Sequence, residues 1–209
     1  MATTSYRSDG SHLGVDPRFW DRLARRDPAA VARLAGMDLP APGIFQFRFL
    51  DEAVRIDVGA RRLLREVDGR WAPVADPLLE MVSVIYLGGV SEIHPVGKDV
   101  VGVGDLKEWH FFTGPHAIEV APLLERFGRD APGFRRAAEA LGGRAVDFAD
   151  AAYRMMPFPR IALYYLLWEG DAEFPPELKV LYDRPIERVL QADAIWALTN
   201  RVTRAIASA

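Results

Sequence analysis

Alternation of apolar and polar residues in the first half of the chain limits its fold more than any other sequence feature. Segments 45–49 and 54–58 each place an apolar residue at every second position. A period of two residues puts these side chains on one face of a β-strand. The Asp68-Gly69 pair lies between two further short apolar segments and favours a type I′ hairpin turn. The sequence therefore predicts an antiparallel meander of about four strands.

Helices are predicted on both sides of this meander. Asp16, Asp27 and Asp76 are each followed by proline, which combines a favourable N-cap residue with proline in the first helical turn. Each pair therefore predicts the start of a helix. In the C-terminal half, the sequence predicts helices from Pro122, from Asp130 and over 195–206.

The C-terminal half also contains three predicted strands, over 153–156, 160–168 and 178–182. The middle one is apolar at almost every position, which is typical of a central strand buried on both faces. Because helices and strands are not arranged in a repeated βαβ order, we expect an α+β fold, with an antiparallel or mixed sheet and helices packed on it. A single domain is predicted over 16–209, preceded by a flexible N-terminal tail over 1–15.

Composition excludes several classes of function. The 209 residues include no cysteine, which rules out thiolate catalysis, conventional iron–sulfur clusters, thiolate zinc sites and disulfides. The net charge of −3 argues against a nucleic-acid partner. The longest apolar run, Ile161 to Trp168, is far shorter than the ~20 residues that span a bilayer. We expect a cytoplasmic protein with a small-molecule partner and no membrane or nucleic-acid partner.

Three of the four histidines lie within one short aromatic-rich window, from His94 to His116. If 109–112 forms a strand, His110 shares a face with Phe112. Imidazole binds metals and haem iron and transfers protons near neutral pH. The alternative is that each histidine simply packs and donates a hydrogen bond to a carbonyl. The candidate metal ligands are His94, His110, His116 and Asp171.

An acidic turn, containing Glu169 and Asp171, follows the predicted central strand. Its carboxylates are candidates for a cation site or a general base. They are equally explained as solvated turn residues or as ion-pair partners of Arg160 or Arg184. Arg160 itself lies next to an apolar strand, so it needs either a carboxylate partner, with Asp150, Glu169 and Asp171 as candidates, or an anionic ligand.

Several segments of the C-terminal half resemble a bacterial and archaeal family, the domain of unknown function numbered 3786. These segments are Pro95 to Lys98, Phe127 to Asp130, Leu141 to Gly143, Asp150 to Tyr153, Phe158 to Ile161, Leu166 to Pro175, Leu181 to Asp183 and Ala192-Asp193. The most specific part is Pro159 to Ile161 together with Trp168 to Pro175. The resemblance covers roughly Pro28 to the C-terminus. It implies an association with iron–sulfur or corrinoid proteins, and the absence of cysteine rules out the cluster but leaves a histidine-held tetrapyrrole.

Together these observations predict a protein or enzyme that binds a small organic ligand or cofactor in an aromatic pocket, with histidine-ligated haem or another tetrapyrrole as the most concrete version. The proposed catalytic residues are His110, His116 and Glu169. The alternatives are a non-catalytic accessory or interaction protein, and a cofactor-free acid/base enzyme using His116 and Glu169. The proposed pocket and cofactor contacts are Trp109, Phe111, Phe112, Arg160, Tyr164 and Trp168, with His110 and His116.

Overall fold

The computed structural model describes residues 15–209 of the chain. The three Asp-Pro pairs each begin a helix, as predicted. The side chain of Asp16 accepts from the backbone N–H of Arg18, and that of Asp76 accepts from Leu79. Within the described residues the α-helices are α1 Pro17–Ala24, α2 Pro28–Ala35, α3 Pro77–Gly89, α4 Ala121–Phe127, α5 Ala131–Ala140 and α6 Ala192–Ser208.

The first five strands form an antiparallel meander in sequence order, which we call the N-terminal sheet. Asp68 and Gly69 have φ values of +50° and +73°, as the predicted type I′ turn requires. The first strand was not predicted, because its segment contains Pro40 and shows no clear alternation. The strands are β1 Asp38–Ala41, β2 Ile44–Phe49, β3 Glu52–Asp57, β4 Arg62–Val67 and β5 Arg70–Pro73.

The remaining strands form a second antiparallel sheet, the C-terminal sheet, in the order β6-β10-β9-β8-β7. The apolar strand β9 occupies its centre, as predicted, and pairs with β8 from Ile161 to Leu167 and with β10 from Leu163 to Trp168. Both neighbours run antiparallel to it. The strands are β6 Val100–Gly102, β7 Arg144–Ala145, β8 Ala151–Phe158, β9 Ile161–Trp168 and β10 Glu177–Asp183.

One hydrophobic core joins the two sheets. The ring of Phe158, at the end of β8, lies 5.3 Å from Phe47 of β2 and 5.0 Å from Tyr86 of α3. On the inner face of the C-terminal sheet, the Tyr165 hydroxyl donates to the carbonyl oxygen of Thr199 in α6 at 2.9 Å. The outer face carries a second, smaller cluster that includes Ala162, Tyr164 and Leu166. The α+β class and the single domain are thus confirmed for the described residues.

The segment from Trp109 to His116 contains short turns and no strand. The predicted strand over 109–112 is wrong, because Trp109–Phe111 and Gly114–His116 form short 3-10 turns whose N–H groups bond three residues back. These local bonds satisfy the backbone without a neighbouring strand. The predicted tail over 1–15 lies almost entirely outside the described residues. Over residues 15–209, no helix has both the length and the apolar character needed to cross a bilayer.

Candidate functional site

A polar recess lies at one end of the central strands of the C-terminal sheet, where β9 begins and β10 ends. Because the two strands are antiparallel, Arg160 just before β9 and Asp183 at the end of β10 lie at the same end of this strand pair. The end of α3 and the segment after it close the recess from the other side. Its lining residues are Tyr86, Val90, Glu92, His94, Pro95, Val96, Arg160, Ile161, Ala162, Asp183, Pro185, Ile186 and Val189.

Asp183 is the most buried charged group in this recess, with only 5% of its surface exposed. Its Oδ1 accepts a hydrogen bond of 2.7 Å from the backbone N–H of Gly97. Its Oδ2 is buried and has no hydrogen-bond partner. Burial raises the pKa of this carboxyl, while the Gly97 N–H and the Arg154 guanidinium act in the opposite direction. Oδ1 is therefore fixed by the backbone, while Oδ2 has no hydrogen bond of normal geometry and the carboxylate has the Tyr164 hydroxyl and the Arg154 guanidinium beside it.

His94 also presents a buried nitrogen here. Its side chain is 15% exposed, and Nε2 lies 3.3 Å from Oε1 of Glu92, although the geometry is not that of a hydrogen bond. Glu92 Oε1 in turn accepts from Arg188 Nη1 at 3.2 Å. The imidazole thus contacts the Glu92 carboxylate without a hydrogen bond, and Nε2 keeps its hydrogen-bonding capacity.

Arg160 supplies positive charge to the recess. Its Nε is buried without a hydrogen-bond partner, and its Nη2 makes only a long contact of 3.5 Å to the carbonyl oxygen of Arg33. Gly36, which ends α2 with φ +70°, lies so close that an added Cβ would be 3.0 Å from Arg160 Nε. The αL turn at the end of α2 therefore makes the space that this guanidinium occupies.

Tyr164 and Arg154 lie beside Asp183 on the outer face of the same sheet. Tyr164 pairs with Arg154 across β8 and β9, and with Leu181 across β9 and β10. Burial raises the pKa of the Tyr164 hydroxyl, as does the Asp183 carboxylate, whereas Arg154 lowers it. Arg154 Nε is a further buried atom without a hydrogen-bond partner. Four such atoms therefore cluster in and beside the recess, on His94, Arg154, Arg160 and Asp183.

The dimensions of the recess limit what it can hold. It measures about 400 Å³ including its open mouth, and little of that space is deep enough to be shielded from solvent. The lining residues carry one guanidinium on Arg160, one imidazole on His94 and two carboxylates on Glu92 and Asp183, so charged groups of both signs are present.

The predicted histidines His110 and His116 lie elsewhere, on the exposed segment of 3-10 turns. The His116 ring stacks on Phe111 with centroids 4.4 Å apart and meets Trp196 of α6 edge-on at 5.9 Å. His110 is exposed and lies edge-on to Trp109 at 6.3 Å. Neither residue is among the residues lining the recess around His94.

The carboxylates of the predicted acidic turn accept hydrogen bonds from backbone N–H groups. Glu169 Oε1 accepts from the N–H of Ala131 at the start of α5, at 3.0 Å. Asp171 Oδ1 accepts from the N–H groups of Glu173 and Phe174, each at 2.8 Å, and these bonds lower the pKa of Asp171. Both carboxylates stabilise local structure, one at a helix N-terminus and one within its own turn.

The predicted aromatic walls are divided between different parts of the molecule. Phe112 is buried in the main core with Phe111 packed against that core, while Tyr164 and Trp168 belong to the outer-face cluster. Trp109 is 55% exposed. Trp168 lies under the ammonium group of Lys179, 5.2 Å from its ring centre. These aromatic side chains do not form the single pocket that the sequence predicted.

Metal and tetrapyrrole sites find no support here. Among residues 15–209, no group of three or more His, Asp or Glu side chains is arranged to hold a metal ion, so His94, His110, His116 and Asp171 do not form one. A tetrapyrrole needs a cleft that covers most of the macrocycle. The exposed His110 and His116 provide no such cleft, and the recess at His94 is too narrow for the ring. The residues present do not fit this group.

The prediction that Arg160 forms an ion pair with Asp150, Glu169 or Asp171 is wrong for the part of the chain that the structure describes. Asp150 Oδ2 instead accepts from the N–H of Glu169, and no carboxylate lies within ion-pair distance of Arg160. The other possibility given by the sequence is that the Arg160 guanidinium binds an anionic ligand.

Sequence reasoning missed Asp183, the central residue of the site. Asp183 lies in one of the segments that carry the family resemblance, Leu181 to Asp183, but the only sign of a site there was positional, a charged residue at the end of the apolar alternation of β10. Tyr182 points to the core and is fully buried, so its neighbour points to the opposite face, which is also covered. The burial of this opposite face could not be predicted from the strand pattern.

Comparison with known proteins gives one match. Neither the curated proteins nor the solved structures contain a match to this chain. The family model described as "Domain of unknown function (DUF3786)" matches residues 27–205. This range includes every helix and strand from α2 to β10, nearly all of α6 and every residue that lines the recess. The chain therefore belongs to the DUF3786 family, a domain family of unknown function.

Proposed function

We propose that this protein binds a small molecule carrying an oxyanion, a carboxylate or a phosphate, in the recess at Arg160. The observation that carries the proposal is the buried Arg160 Nε without a hydrogen-bond partner, in a recess shared with His94 and Asp183. A buried donor that lacks a partner destabilises the fold unless a ligand or water accepts from it. Such groups are retained where binding compensates for that loss.

Guanidinium is well suited to this role. Its planar N–H donors match two oxygens of a carboxylate or phosphate, and its charge persists across the physiological pH range. No carboxylate within the described residues is near enough to neutralise Arg160, so its charge is available to a ligand. The total volume of about 400 Å³, including the open mouth, restricts the ligand to a small molecule.

The test is a titration of ¹⁵N-labelled protein with acetate and with inorganic phosphate, followed by amide chemical shifts. We expect saturable shifts of the amides around the recess, at Gly97, Ile161 and Asp183, with at least one of the two anions. The Arg160→Gln protein keeps the bulk and loses the charge, so its shifts should fall to those of a non-specific salt effect. Arg136→Gln, at an exposed position of α5 outside the recess, is the matched control.

A role as an interaction protein is the second candidate, favoured by large aromatic side chains at the surface. Trp109 is 55% exposed and Phe174 67%. Large exposed apolar side chains mark contact surfaces when they occur in patches. If Arg160→Gln and wild type give the same shifts with both anions, ligand binding at the recess is rejected and the interaction role becomes the better account.

A further inference from the structure

The recess contains a fixed carboxylate acceptor as well as a guanidinium donor, and this combination restricts the class of ligand. The Gly97 N–H holds Asp183 Oδ1 at 2.7 Å, which orients the carboxylate and leaves Oδ2 as a buried acceptor. An oxyanion alone would satisfy Arg160 but add a negative charge to the recess that Asp183 lines, and the pKa of Asp183 is raised despite the neighbouring Arg154 and Tyr164. A ligand that satisfies both groups needs a negative end and a donor end.

We infer that the ligand is a small amphoteric molecule in which a carboxylate or phosphate lies close to a protonated amine, as in an amino acid. This inference rests on the proposed function and names the substrate class of the same site. The oxyanion is bound by Arg160, and the ammonium group donates to Asp183 Oδ2. Both protein groups lie at the same end of the β9–β10 strand pair. Tyr182, which precedes Asp183, pairs with Leu163, and Leu163 is three residues after Arg160.

The surroundings of Asp183 favour an ammonium rather than a neutral donor. Burial disfavours its ionised form, and the nearby Asp99 adds to that effect, so a positive charge gains more here than at an exposed carboxylate. Arg154 is the positive group that offsets this effect. His94 Nε2 lies 3.3 Å from Oε1 of Glu92, so this imidazole contacts a carboxylate other than Asp183.

The experiment compares probes that differ only in the group under test. Glycine carries both charges, acetate only the negative one and methylammonium only the positive one. Each is titrated into the ¹⁵N-labelled full chain, and dissociation constants are taken from the amides around the recess. We expect glycine to bind at least about tenfold more tightly than acetate, as a charged hydrogen bond to a buried group would give.

Two substitutions assign this preference to residues. Asp183→Asn keeps an oxygen for the Gly97 N–H and removes the negative charge, so glycine and acetate should then bind within about twofold of each other. Arg160→Gln should weaken both. Asp147→Asn, an exposed aspartate outside the recess, is the matched control and should keep the wild-type preference. Unchanged amide shifts away from the substitution show that each variant is folded.

The outcomes separate the two levels of the proposal. Acetate binding as well as glycine in the wild-type protein, with Arg160→Gln weakening both, would overturn the amphoteric ligand and leave oxyanion binding intact. Saturable binding of methylammonium alone, unaffected by Arg160→Gln, would overturn both. The absence of saturable shifts with acetate, phosphate and glycine would overturn the proposed function itself and assign the unpartnered atoms to water.

Discussion

At the scale of single residues, some charged side chains of this protein stabilise the fold and others do not. Arg26 is an example of the first kind. Its guanidinium donates to the carbonyl oxygens of Leu87 and Val90 at 2.6 and 2.5 Å, at the end of α3. These are carbonyl groups that a helix leaves without partners, and a positive charge there is also favoured by the helix dipole.

Arg26→Ala should therefore lower the free energy of unfolding by about 1–3 kcal/mol, because it leaves those carbonyl oxygens without charged donors. Urea unfolding measures this difference. The neighbouring Arg25 is exposed, and Arg25→Ala should change stability by less than about 0.5 kcal/mol. Equal losses for both variants would show that the carbonyl contacts contribute nothing.

Asp183 is an example of the second kind, since burial raises its pKa in the folded protein. A group whose pKa is raised on folding contributes stability that is fully present below its unfolded pKa and is lost as the pH rises through its folded pKa. Asp183→Asn removes this titration. The variant should thus gain stability relative to wild type between about pH 3 and about pH 7.

Urea unfolding of both proteins at the two pH values measures this change. The same comparison with Asp147→Asn separates the burial of Asp183 from the simple loss of one negative charge. A relative stability of Asp183→Asn that stays constant with pH, or falls as the pH rises, would contradict a raised pKa.

At the scale of elements, the end of α2 connects local backbone conformation to the recess. Gly36 and Gly69 both have φ near +70°, a conformation that disfavours residues with a Cβ. They differ in surroundings. A Cβ at Gly69 meets nothing within 4 Å, whereas one at Gly36 comes within 3.0 Å of Arg160 Nε.

Gly36→Ala and Gly69→Ala should each lower the free energy of unfolding by about 1–2 kcal/mol, the cost of the left-handed backbone. Only Gly36→Ala should also weaken anion binding, because it displaces Arg160. Urea unfolding and the phosphate titration measure the two effects. Anion binding that is equally strong in both variants would show that Arg160 does not bind from its present position.

Local rules predicted the elements better than the site. Helices starting at Asp-Pro pairs, the Asp68-Gly69 turn and the central position of β9 follow from interactions within a few residues. The segment 109–112 was misjudged because its pattern resembles a strand, but no neighbouring strand pairs with it among the described residues. Strand formation depends on such distant partners, which an isolated segment does not reveal.

At the scale of the whole molecule, the two sheets share one core through Phe47, Tyr86 and Phe158. The same topology explains why this combination of residues was not predicted, although His94 and Arg160 were each named as candidates. His94, Arg160 and Asp183 are far apart in sequence and meet only because β10 returns beside β9 under the segment that follows α3. The windows of neighbouring residues used for prediction, such as 94–116, cannot represent that arrangement.

A shared core predicts that the sheets unfold together. Ile56→Ala in the N-terminal sheet and Leu163→Ala in the C-terminal sheet each open a cavity at a fully buried position and should lower stability by about 2–5 kcal/mol. Each should shift a single transition, seen at the same urea concentration by tryptophan fluorescence and by far-ultraviolet circular dichroism. Two transitions, each sensitive to one substitution, would show that the sheets unfold independently.

The most direct test of the account observes the Arg160 Nε–H resonance of ¹⁵N-labelled protein during a titration with inorganic phosphate and with glycine. This atom is buried without a hydrogen-bond partner, so a bound oxyanion should shift its resonance in a saturable manner. The exposed Arg136 should show only a small linear change. An Arg160 resonance that does not move with either probe, or moves linearly as Arg136 does, would contradict the account.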